Sequence, residues 1–207
     1  MNLKKQWDKF HITKNNSEIQ EDMNQIVNIF KKRGVKKVLD LACGAGKHAV
    51  YLAKQGFEVY GIDISTTGIK IVKNHLKKNG QRANIKVDSI FSKLPYQDNF
   101  FDAIICIRSI NHGNIKDIRK AIKEIERVLK PTGLIFITVR KRVSKKFRHP
   151  FKEIASHTYV PLNSQEKGII HYFFIKDSLK KEFKSFKTKI WTDKDRNYYC
   201  LFGEFKK

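Results

Sequence analysis

The stretch Val38-Leu-Asp-Leu-Ala-Cys-Gly-Ala-Gly-Lys-His48 decides the fold of this chain. Its apolar first half predicts a buried strand, and its glycines predict a tight turn that opens into a helix near Lys47. Glycine carries no Cβ and tolerates positive φ, so the backbone N–H groups of such a turn can approach a ligand closely. The positive end of the helix dipole points at the same place. The stretch therefore predicts a ligand site between a strand and a helix.

A second stretch, Val59-Tyr-Gly-Ile-Asp63, reads as the next strand and ends in a carboxylate. An acid at the end of the following parallel strand is placed to accept hydrogen bonds from the two hydroxyls of a ribose. Together the two stretches predict a site for a cofactor that contains a nucleoside.

A phosphate-binding Walker loop is one alternative for the first stretch, and the residues exclude it. That loop needs a glycine five residues before its second glycine, and a serine or threonine after its lysine. Here Leu41 stands five residues before Gly46, and His48 follows Lys47.

The dinucleotide fingerprint Gly-x-Gly-x-x-Gly/Ala is a second alternative and is formally met by Gly44, Gly46 and Ala49. Asp63 follows 17 residues after Gly46. However, Asp40 would lie where the pyrophosphate of a dinucleotide binds, and its negative charge would repel it. A carboxylate at this place suits a ligand with a cationic ammonium and sulfonium instead.

The signature Asp-Leu-Ala-Cys-Gly-Ala-Gly at 40–46, followed by Gly-Ile-Asp-Ile-Ser at 61–65, resembles the class I S-adenosylmethionine-dependent methyltransferases. Within them it is most similar to the type 11/25 and tellurite-resistance groups, which act on small molecules. The resemblance is specific over 35–140 and looser elsewhere. It implies S-adenosyl-L-methionine as cofactor and S-adenosyl-L-homocysteine as product. The cofactor-binding residues that it implies, together with those read from the turn, are Asp40, Ala42, Gly44, Gly46, Asp63, Ile64, Asp88, Ser89 and Ile107.

Strands and helices alternate along the chain, with near-continuous apolar strands, and this predicts a parallel sheet covered by helices on both faces. The predicted strands are 37–41, 57–62, 85–87, 101–107 and 134–139, and the predicted helices are 17–32 with Ser17 as cap, 47–55, 66–78 and 115–129. A helix at 177–186 and a hairpin of strands 187–192 and 198–205 follow. The expected fold is an α/β Rossmann-like three-layer αβα sandwich, whose seven-stranded, mostly parallel sheet ends in an antiparallel hairpin.

We expect one domain over 1–207. It consists of an N-terminal lid or anchor and helix (1–34), a cofactor-binding core (35–140), a substrate-covering insertion (141–176) and the final helix and hairpin (177–207). In the N-terminal part, Trp7 and Phe10 show no clear periodicity and fit either a hydrophobic anchor or a lid over the cofactor.

The residues after the fourth strand are candidates for contact with the methyl acceptor, by resemblance to the family. Asn111 and His112 follow that strand, and His112 could act as a general base because its ordinary pKa lies near neutrality. Many enzymes of this family work by aligning the reactants, which needs no base. By the same resemblance Tyr159 and His171 would border the acceptor pocket, and Arg140 would lie near it.

Length and composition bound the remaining possibilities. The 207 residues contain 41% hydrophobic and 12% aromatic residues, as expected of a globular domain. The sequence has neither a run of ~18 apolar residues nor an apolar signal core, so we expect a cytoplasmic protein without membrane contact. Its three cysteines are widely spaced and offer neither a disulfide framework nor a zinc pattern, so no metal site is expected.

The formal net charge of +23 has two interpretations. It fits an anionic acceptor such as RNA, attracted by a basic rim that we define as Arg140–Lys146. It also fits a general compositional bias, since lysines are spread along most of the chain. A small-molecule acceptor is favoured, and RNA, including tRNA, is the main alternative. Protein methylation, cofactor binding without catalysis and an NAD(P)-dependent enzyme are lesser alternatives, and the oligomeric state stays open.

Overall fold

The fold is built around one large sheet, seen in a computed structural model that describes residues 3–13, 18–142 and 150–207. The strands are β1 (Lys37–Leu41), β2 (Glu58–Asp63), β3 (Asn84–Val87), β4 (Phe101–Ile107), β5 (Leu129–Arg140), β6 (Phe151–Ala155), β7 (Thr158–Pro161), β8 (His171–Tyr172), β9 (Phe186–Thr192) and β10 (Tyr198–Phe205). The helices are α1 (Leu3–Thr13), α2 (Met23–Lys32), α3 (Lys47–Lys54), α4 (Thr66–Lys78), α5 (Ile115–Val128) and α6 (Lys176–Glu182).

Seven strands form the large sheet in the order β3-β2-β1-β4-β5-β10-β9. The first five pair in parallel, whereas β10 is antiparallel to both β5 and β9. The strand order reverses between β1 and β4, which is where open α/β sheets bind their ligands. The expected seven-stranded sheet with an antiparallel final hairpin is confirmed.

Helices cover both faces of this sheet, because successive side chains of a strand point to opposite sides. In β4, Ala103 and Ile105 belong to the apolar cluster under α2, α3 and α4. Ile104 and Cys106 belong to the cluster under α5 and α6. The sheet is therefore the middle layer of three, and its strand ends alone remain available for a ligand.

Helix α5 shows how the sequence fixes one of these layers. Asn114 caps it, since its side-chain oxygen accepts a hydrogen bond from the backbone N–H of Asp117 at 3.0 Å. Its buried residues recur at helical spacing: Ile118, Ala121, Ile122, Ile125 and Val128. This stripe packs against β4 and β5 and holds the β4 end in place.

Two predicted helices, the fifth strand and the N-terminus differ from the structure, and the fifth strand begins at Leu129 rather than at residue 134. The helix predicted at 17–32 begins only at Met23, because the backbone N–H of Gln20 donates to Nε2 of the buried His48 at 3.2 Å. Ser17, the predicted cap, lies outside the described residues. Helix α6 ends at Glu182, since Phe183 turns into the core. Residues of the N-terminus, for which no periodicity was found, form α1.

A second sheet lies within the insertion after β5, where the sequence predicted no strands. Its order is β6-β7-β8, all antiparallel. Backbone hydrogen bonds join this segment to the loop after β4 and to the end of β5. The N–H of Tyr172 donates to the carbonyl of Asn111 at 2.8 Å, that of Phe174 to Arg140 at 2.9 Å, and that of Arg142 to Phe174 at 2.8 Å. The small sheet is thereby attached at the carboxyl ends of β4 and β5. No helix in the described ranges is long and apolar enough to cross a membrane.

The core predicts a clear contrast between two isoleucine truncations. Ile125 of α5 is fully buried, so Ile125→Ala should lower the free energy of unfolding by about 2–5 kcal/mol. Ile12 of α1 is 73% exposed, and Ile12→Ala should change that free energy by less than about 0.5 kcal/mol. Urea denaturation of both variants measures the difference, and equal losses would contradict the packing described for α5.

Candidate functional site

A cavity of about 410 Å³ opens at the carboxyl ends of the parallel strands, beside the point where the strand order reverses. Its walls come from the glycine turn after β1, the ends of β2 and β4, the segment after β3, helix α1 and the insertion after β5. This volume lies within the range of small-molecule sites. Of the residues predicted for the site, Ala42, Gly44, Gly46, Asp63, Ile64, Ser89, Ile107, His112, Arg140 and His171 line it.

The glycine turn has an unusual backbone. Ala42, Gly44 and Gly46 all have positive φ, of 64°, 53° and 81°. Such a φ is uncommon for alanine and is often found at functional sites. A Cβ on Gly46 would lie 1.9 Å from a methyl group of Val72 in α4, so only glycine fits there. The turn thus brings β1, α3 and α4 together at the cavity.

Asp63 connects this turn to the next strand. Its Oδ2 accepts a hydrogen bond from the N–H of Gly44 and its Oδ1 accepts one from the N–H of Ser65, both at 2.8 Å. A carboxylate has about four acceptor positions, so two remain for a ligand. Burial raises the pKa of Asp63, against the effect of these hydrogen bonds. Asp63 lines the cavity with a partly satisfied carboxylate, as a site for ribose hydroxyls requires.

Asp40 lies behind the turn and is not among the residues that line the cavity. It is fully buried, and its Oδ2 has no hydrogen-bond partner among the described residues. Burial and the nearby Asp63 raise the pKa of Asp40 to about 7, although the backbone N–H of Ala49 donates to it. The contact of Asp40 with the cofactor stays a prediction, since the structure places Asp40 behind the residues that line the cavity.

Asp88 also stands back from the cavity. Its N–H donates to the carbonyl of Asp63 at 3.0 Å, and its Oδ1 accepts from the N–H of Ser89 at 2.7 Å. Ser89 itself lines the cavity beside Ile90 and Phe91, which form an apolar wall. Asp88 therefore holds the segment that bears this wall, and its predicted bond to an adenine stays a prediction.

Helix α1 covers one side of the cavity with Trp7, Phe10 and His11. Asp8 fixes it to α4: its Oδ1 accepts from the hydroxyl of Ser65 at 2.7 Å and from the N–H of Thr67 at 2.8 Å. An anion at a helix N-terminus is stabilising. Burial alone would raise the pKa of Asp8, but these hydrogen bonds hold it below its ordinary value. Of the two readings of the N-terminus, a lid fits this placement.

His11 explains a second requirement of the glycine turn. A Cβ on Gly44 would lie 2.8 Å from Cε1 of His11, so the missing side chain makes room for this ring. Burial lowers the pKa of His11, although the neighbouring carboxylates of Asp63 and Asp8 act in the opposite direction. The lid and the turn are therefore in direct contact.

Two histidines and a glutamate meet where the loop after β4 faces the small sheet. The rings of His112 and His171 are 4.7 Å apart, and Nε2 of His171 lies 3.4 Å from a carboxylate oxygen of Glu166. Burial, followed by the charges of His171 and Arg140, holds the pKa of His112 well below its ordinary value. Burial and Arg140 lower the pKa of His171 to about 4. Both imidazoles are therefore neutral at neutral pH.

Asn111 and Tyr159 do not line the cavity. The side-chain oxygen of Asn111 accepts from the N–H of Arg140 at 3.2 Å, which connects the ends of β4 and β5. The ring of Tyr159 stacks on Phe173 at 4.7 Å within the small sheet. The structure thus places both residues in supporting positions, and their predicted roles at the acceptor remain untested.

The wall near β5 is cationic and aromatic. The guanidinium groups of Arg108 and Arg140 lie 4.5 Å and 5.1 Å from the centre of the Tyr198 ring. Arg108 also lies 3.9 Å from the carboxylate of Asp193. Arg108 lies in the loop after β4, Arg140 is the last residue of β5, and Tyr198 is the first residue of β10.

Residues 38–133 match the family model described as a methyltransferase domain. The match spans slightly less than half of the chain, which over these residues is similar to a methyltransferase domain. The matched residues contain the glycine turn, Asp63 and the loop after β4, which bear the walls just described. The resemblance seen at 40–46 and 61–65 is thereby confirmed.

Individual relatives of this methyltransferase domain cover it to different extents. A ubiquinone biosynthesis O-methyltransferase from Idiomarina loihiensis is 29% identical over 112 residues, which are 54% of this chain and 45% of that protein. The chain thus matches less than half the length of that relative. The PH0226 protein from Pyrococcus horikoshii has the same fold, with a TM-score of 0.76 at 24% identity over 96% of this chain and 99% of that one.

A third relative was solved with ligands bound. The 1,6-didemethyltoxoflavin-N1-methyltransferase from Burkholderia thailandensis, with bound 1,6-didemethyltoxoflavin and S-adenosylhomocysteine, shares the fold with a TM-score of 0.68. Its sequence is 16% identical, over 91% of this chain and 80% of that one.

Several residues that line the cavity of the methyltransferase domain were not predicted. Trp7, His11 and Glu166 lie far from the motifs, and their approach depends on tertiary contacts. His48 follows the glycine turn directly after Lys47, and this closeness in sequence could have indicated that it lines the cavity. Arg108, directly after the predicted Ile107, lines the cavity as well.

His48 predicts a pH dependence of the stability of the methyltransferase domain. Burial, followed by the charges of Lys47 and Arg108, lowers the pKa of His48 to about 3. The unfolded chain therefore binds this proton first, so the stabilising effect of neutral His48 is lost as pH falls below about 6.5. Between pH 7.5 and pH 5 this amounts to about 2 kcal/mol for one histidine.

Urea denaturation at these two pH values tests this. His48→Gln should remove about 2 kcal/mol of the pH-dependent change, since glutamine does not titrate. His75→Gln, on the exposed side of α4, should leave the change as in the parent protein. An identical pH dependence in the parent and in His48→Gln would exclude the buried neutral state.

Proposed function

We propose that this protein is an S-adenosylmethionine-dependent methyltransferase that acts on a small molecule. The observation that carries the proposal is the carboxylate of Asp63, which faces the cavity beside the Gly44 turn with acceptor positions left over. The match of residues 38–133 to a methyltransferase domain supports this proposal. So does the S-adenosylhomocysteine bound in the Burkholderia protein of the same fold.

The residues present fit this cofactor. Asp63 would accept the two ribose hydroxyls, and Ile64, Ile90 and Phe91 offer apolar contact to an adenine ring. Asp40, with its unpartnered buried oxygen, makes the surroundings of the turn attractive for a cation. The bound cofactor would supply an electrophilic methyl group on a positively charged sulfur.

The rest of the cavity would hold the acceptor. Trp7 of the lid, His112 after β4 and Phe151 of the small sheet line it from three different elements. The Trp7 and His112 rings are 4.9 Å apart, so these elements meet above the strand ends. Such an enclosed, partly aromatic space suits a small planar or apolar molecule and keeps water away.

We infer that neither His112 nor His171 acts as a general base in this reaction. A general base works best with a pKa near the working pH, whereas the pKa of His112 lies well below its ordinary value and that of His171 is about 4. Neutral imidazoles of this kind can accept a hydrogen bond from an acceptor and orient it. Orientation alone can supply several kcal/mol of the barrier.

We also propose that residues 1–207 act as one domain with the four parts given above, and that it works in the cytoplasm, where its three buried free cysteines would stay reduced. RNA remains the alternative acceptor. Arg108 and Arg140 at the cavity wall, together with the net charge of +23, favour an anionic partner. Of the basic rim, residues 143–146 lie outside the described residues.

Replacement of Asp63 tests the cofactor site. Asp63→Asn would place a donating amide against one of the N–H donors of Gly44 and Ser65 and would weaken acceptance from the ribose, so the dissociation constant for S-adenosylmethionine should rise about 10- to 100-fold. Asp98→Asn, on the exposed far side of the domain, should leave it unchanged. Calorimetry on folded variants measures both, and an unchanged constant for Asp63→Asn would refute this assignment.

A labelling experiment tests the acceptor. Purified protein is incubated with methyl-labelled S-adenosylmethionine and cell extract, and the RNA, protein and small-molecule fractions are then separated. Label in the small-molecule fraction is expected. Label in RNA, lost at high salt and on neutralising Arg140 and Lys141, would establish the alternative. Cofactor binding without label in any fraction would indicate a binding protein.

A further inference from the structure

We propose that His112, Glu166 and His171 form a binding site for one divalent transition-metal ion, of the zinc or iron(II) kind. One possible ligand atom from each residue lies within 4.8 Å of those of the other two. All three residues line the cavity. No such cluster was expected from the sequence, because Glu166 follows His112 by 54 positions and the three cysteines form no metal pattern.

A polar atom of His171 carries the inference. The side chain is buried, with 4% exposure of the residue, and its Nε2 has no hydrogen-bond partner among the described residues. The carboxylate of Glu166 lies 3.4 Å away without the geometry of a hydrogen bond. A buried nitrogen in this state costs free energy unless a ligand satisfies it. A cation between these two groups would satisfy the His171 nitrogen, with the Glu166 carboxylate as a second ligand.

The protein holds the ligand-bearing segments side by side. The N–H of Tyr172, next to His171, donates to the carbonyl of Asn111, next to His112, at 2.8 Å. The N–H of Ile169 donates to the carbonyl of Glu166 at 2.9 Å and closes the turn that bears the glutamate. Neighbouring backbone bonds of this kind place metal ligands before the metal binds. Asn111 is then a positioning residue.

The distances require only a small adjustment. Bonds of about 2.0–2.2 Å to a tetrahedral ion place ligand atoms about 3.4 Å apart. The His171–Glu166 distance of 3.4 Å already matches this. The remaining closure, about 1 Å from the 4.8 Å limit, falls on His112 and on the side chain of Glu166, which lies on a turn.

The ligand set and its surroundings select the kind of ion. Imidazole nitrogens suit Zn²⁺, Fe²⁺, Ni²⁺ and Cu²⁺, whereas Mg²⁺ and Ca²⁺ prefer sets of oxygen atoms. Glu166 contributes one negative charge, and the guanidinium of Arg140 near both imidazoles opposes any cation. A hard ion bound by charge would be weak here, so a site of this composition favours an ion with strong bonds to nitrogen.

Three protein ligands leave a coordination position open toward the cavity, as in catalytic metal sites. If the proposed function holds, the methyl acceptor is then a molecule with a hydroxyl or thiol that can bind the ion. Binding would favour loss of its proton to water. The oxygen or sulfur would then form the new bond to the methyl carbon as the bond from that carbon to the sulfonium breaks and S-adenosylhomocysteine leaves. This assigns an acceptor class, and it rests on the proposed function, whereas the metal site itself does not.

The test is metal binding to the whole protein after treatment with a chelator. Calorimetry with Zn²⁺ should show one site, and Co²⁺ should give a visible absorption band of a low-coordinate nitrogen and oxygen site. His171→Ala and Glu166→Gln should each weaken Zn²⁺ binding at least about 100-fold. His75→Ala removes an exposed histidine of α4 and should leave binding unchanged.

The outcomes separate this inference from the proposed function. Binding of S-adenosylmethionine by each variant confirms that the variant is folded. If His171→Ala does not fold, Glu166→Gln on a surface turn still tests the metal site. Absence of Zn²⁺ binding by the parent, or equal affinity in Glu166→Gln and the parent, would overturn the metal site. Failure of the parent protein to bind S-adenosylmethionine would overturn the proposed function but not the metal site.

Discussion

The carboxylate of Asp63 is the interaction on which the rest of the site depends. It accepts one hydrogen bond from the turn after β1 and one from the residue that caps α4. The turn after β1, the end of β2 and the start of α4 are thereby held together at the edge of the sheet. Without this carboxylate, two buried N–H groups would lack acceptors, at a cost of about 1–3 kcal/mol each. Ligand binding and local stability therefore share one side chain.

The second half of the cavity depends on different contacts. There the loop after β4, the end of β5 and the small sheet meet through Asn111, whose side chain binds the backbone of Arg140 and whose carbonyl accepts from Tyr172. This half is built by the insertion, and the first half by the common core. Methyltransferase domains can thus keep one cofactor site while their insertions change what lies opposite.

Many of the helices, strands and site residues could be predicted from local sequence. The range of α4 was predicted in full, because Ser65 supplies a cap and the apolar residues keep helical spacing. The turn and Asp63 were predicted because their chemistry is local. In contrast, α1 depends on Asp8 meeting α4, and the start of α2 depends on Gln20 meeting His48, 28 residues away. Strands as short as His171–Tyr172 carry too little pattern to be seen, so the approach of His171 to His112 was invisible.

Helix α1 is attached at two places, and this bears on how quickly ligands exchange. Asp8 holds it to α4, and Gln6 donates to the carbonyl of Lys167 at 2.7 Å in the turn beside the small sheet. A ligand bound between this helix and the strand ends would leave faster if one of these attachments opened. Its residence time would then reflect the opening rate of a short helix as well as its own affinity, and slow turnover could arise far from the reacting atoms.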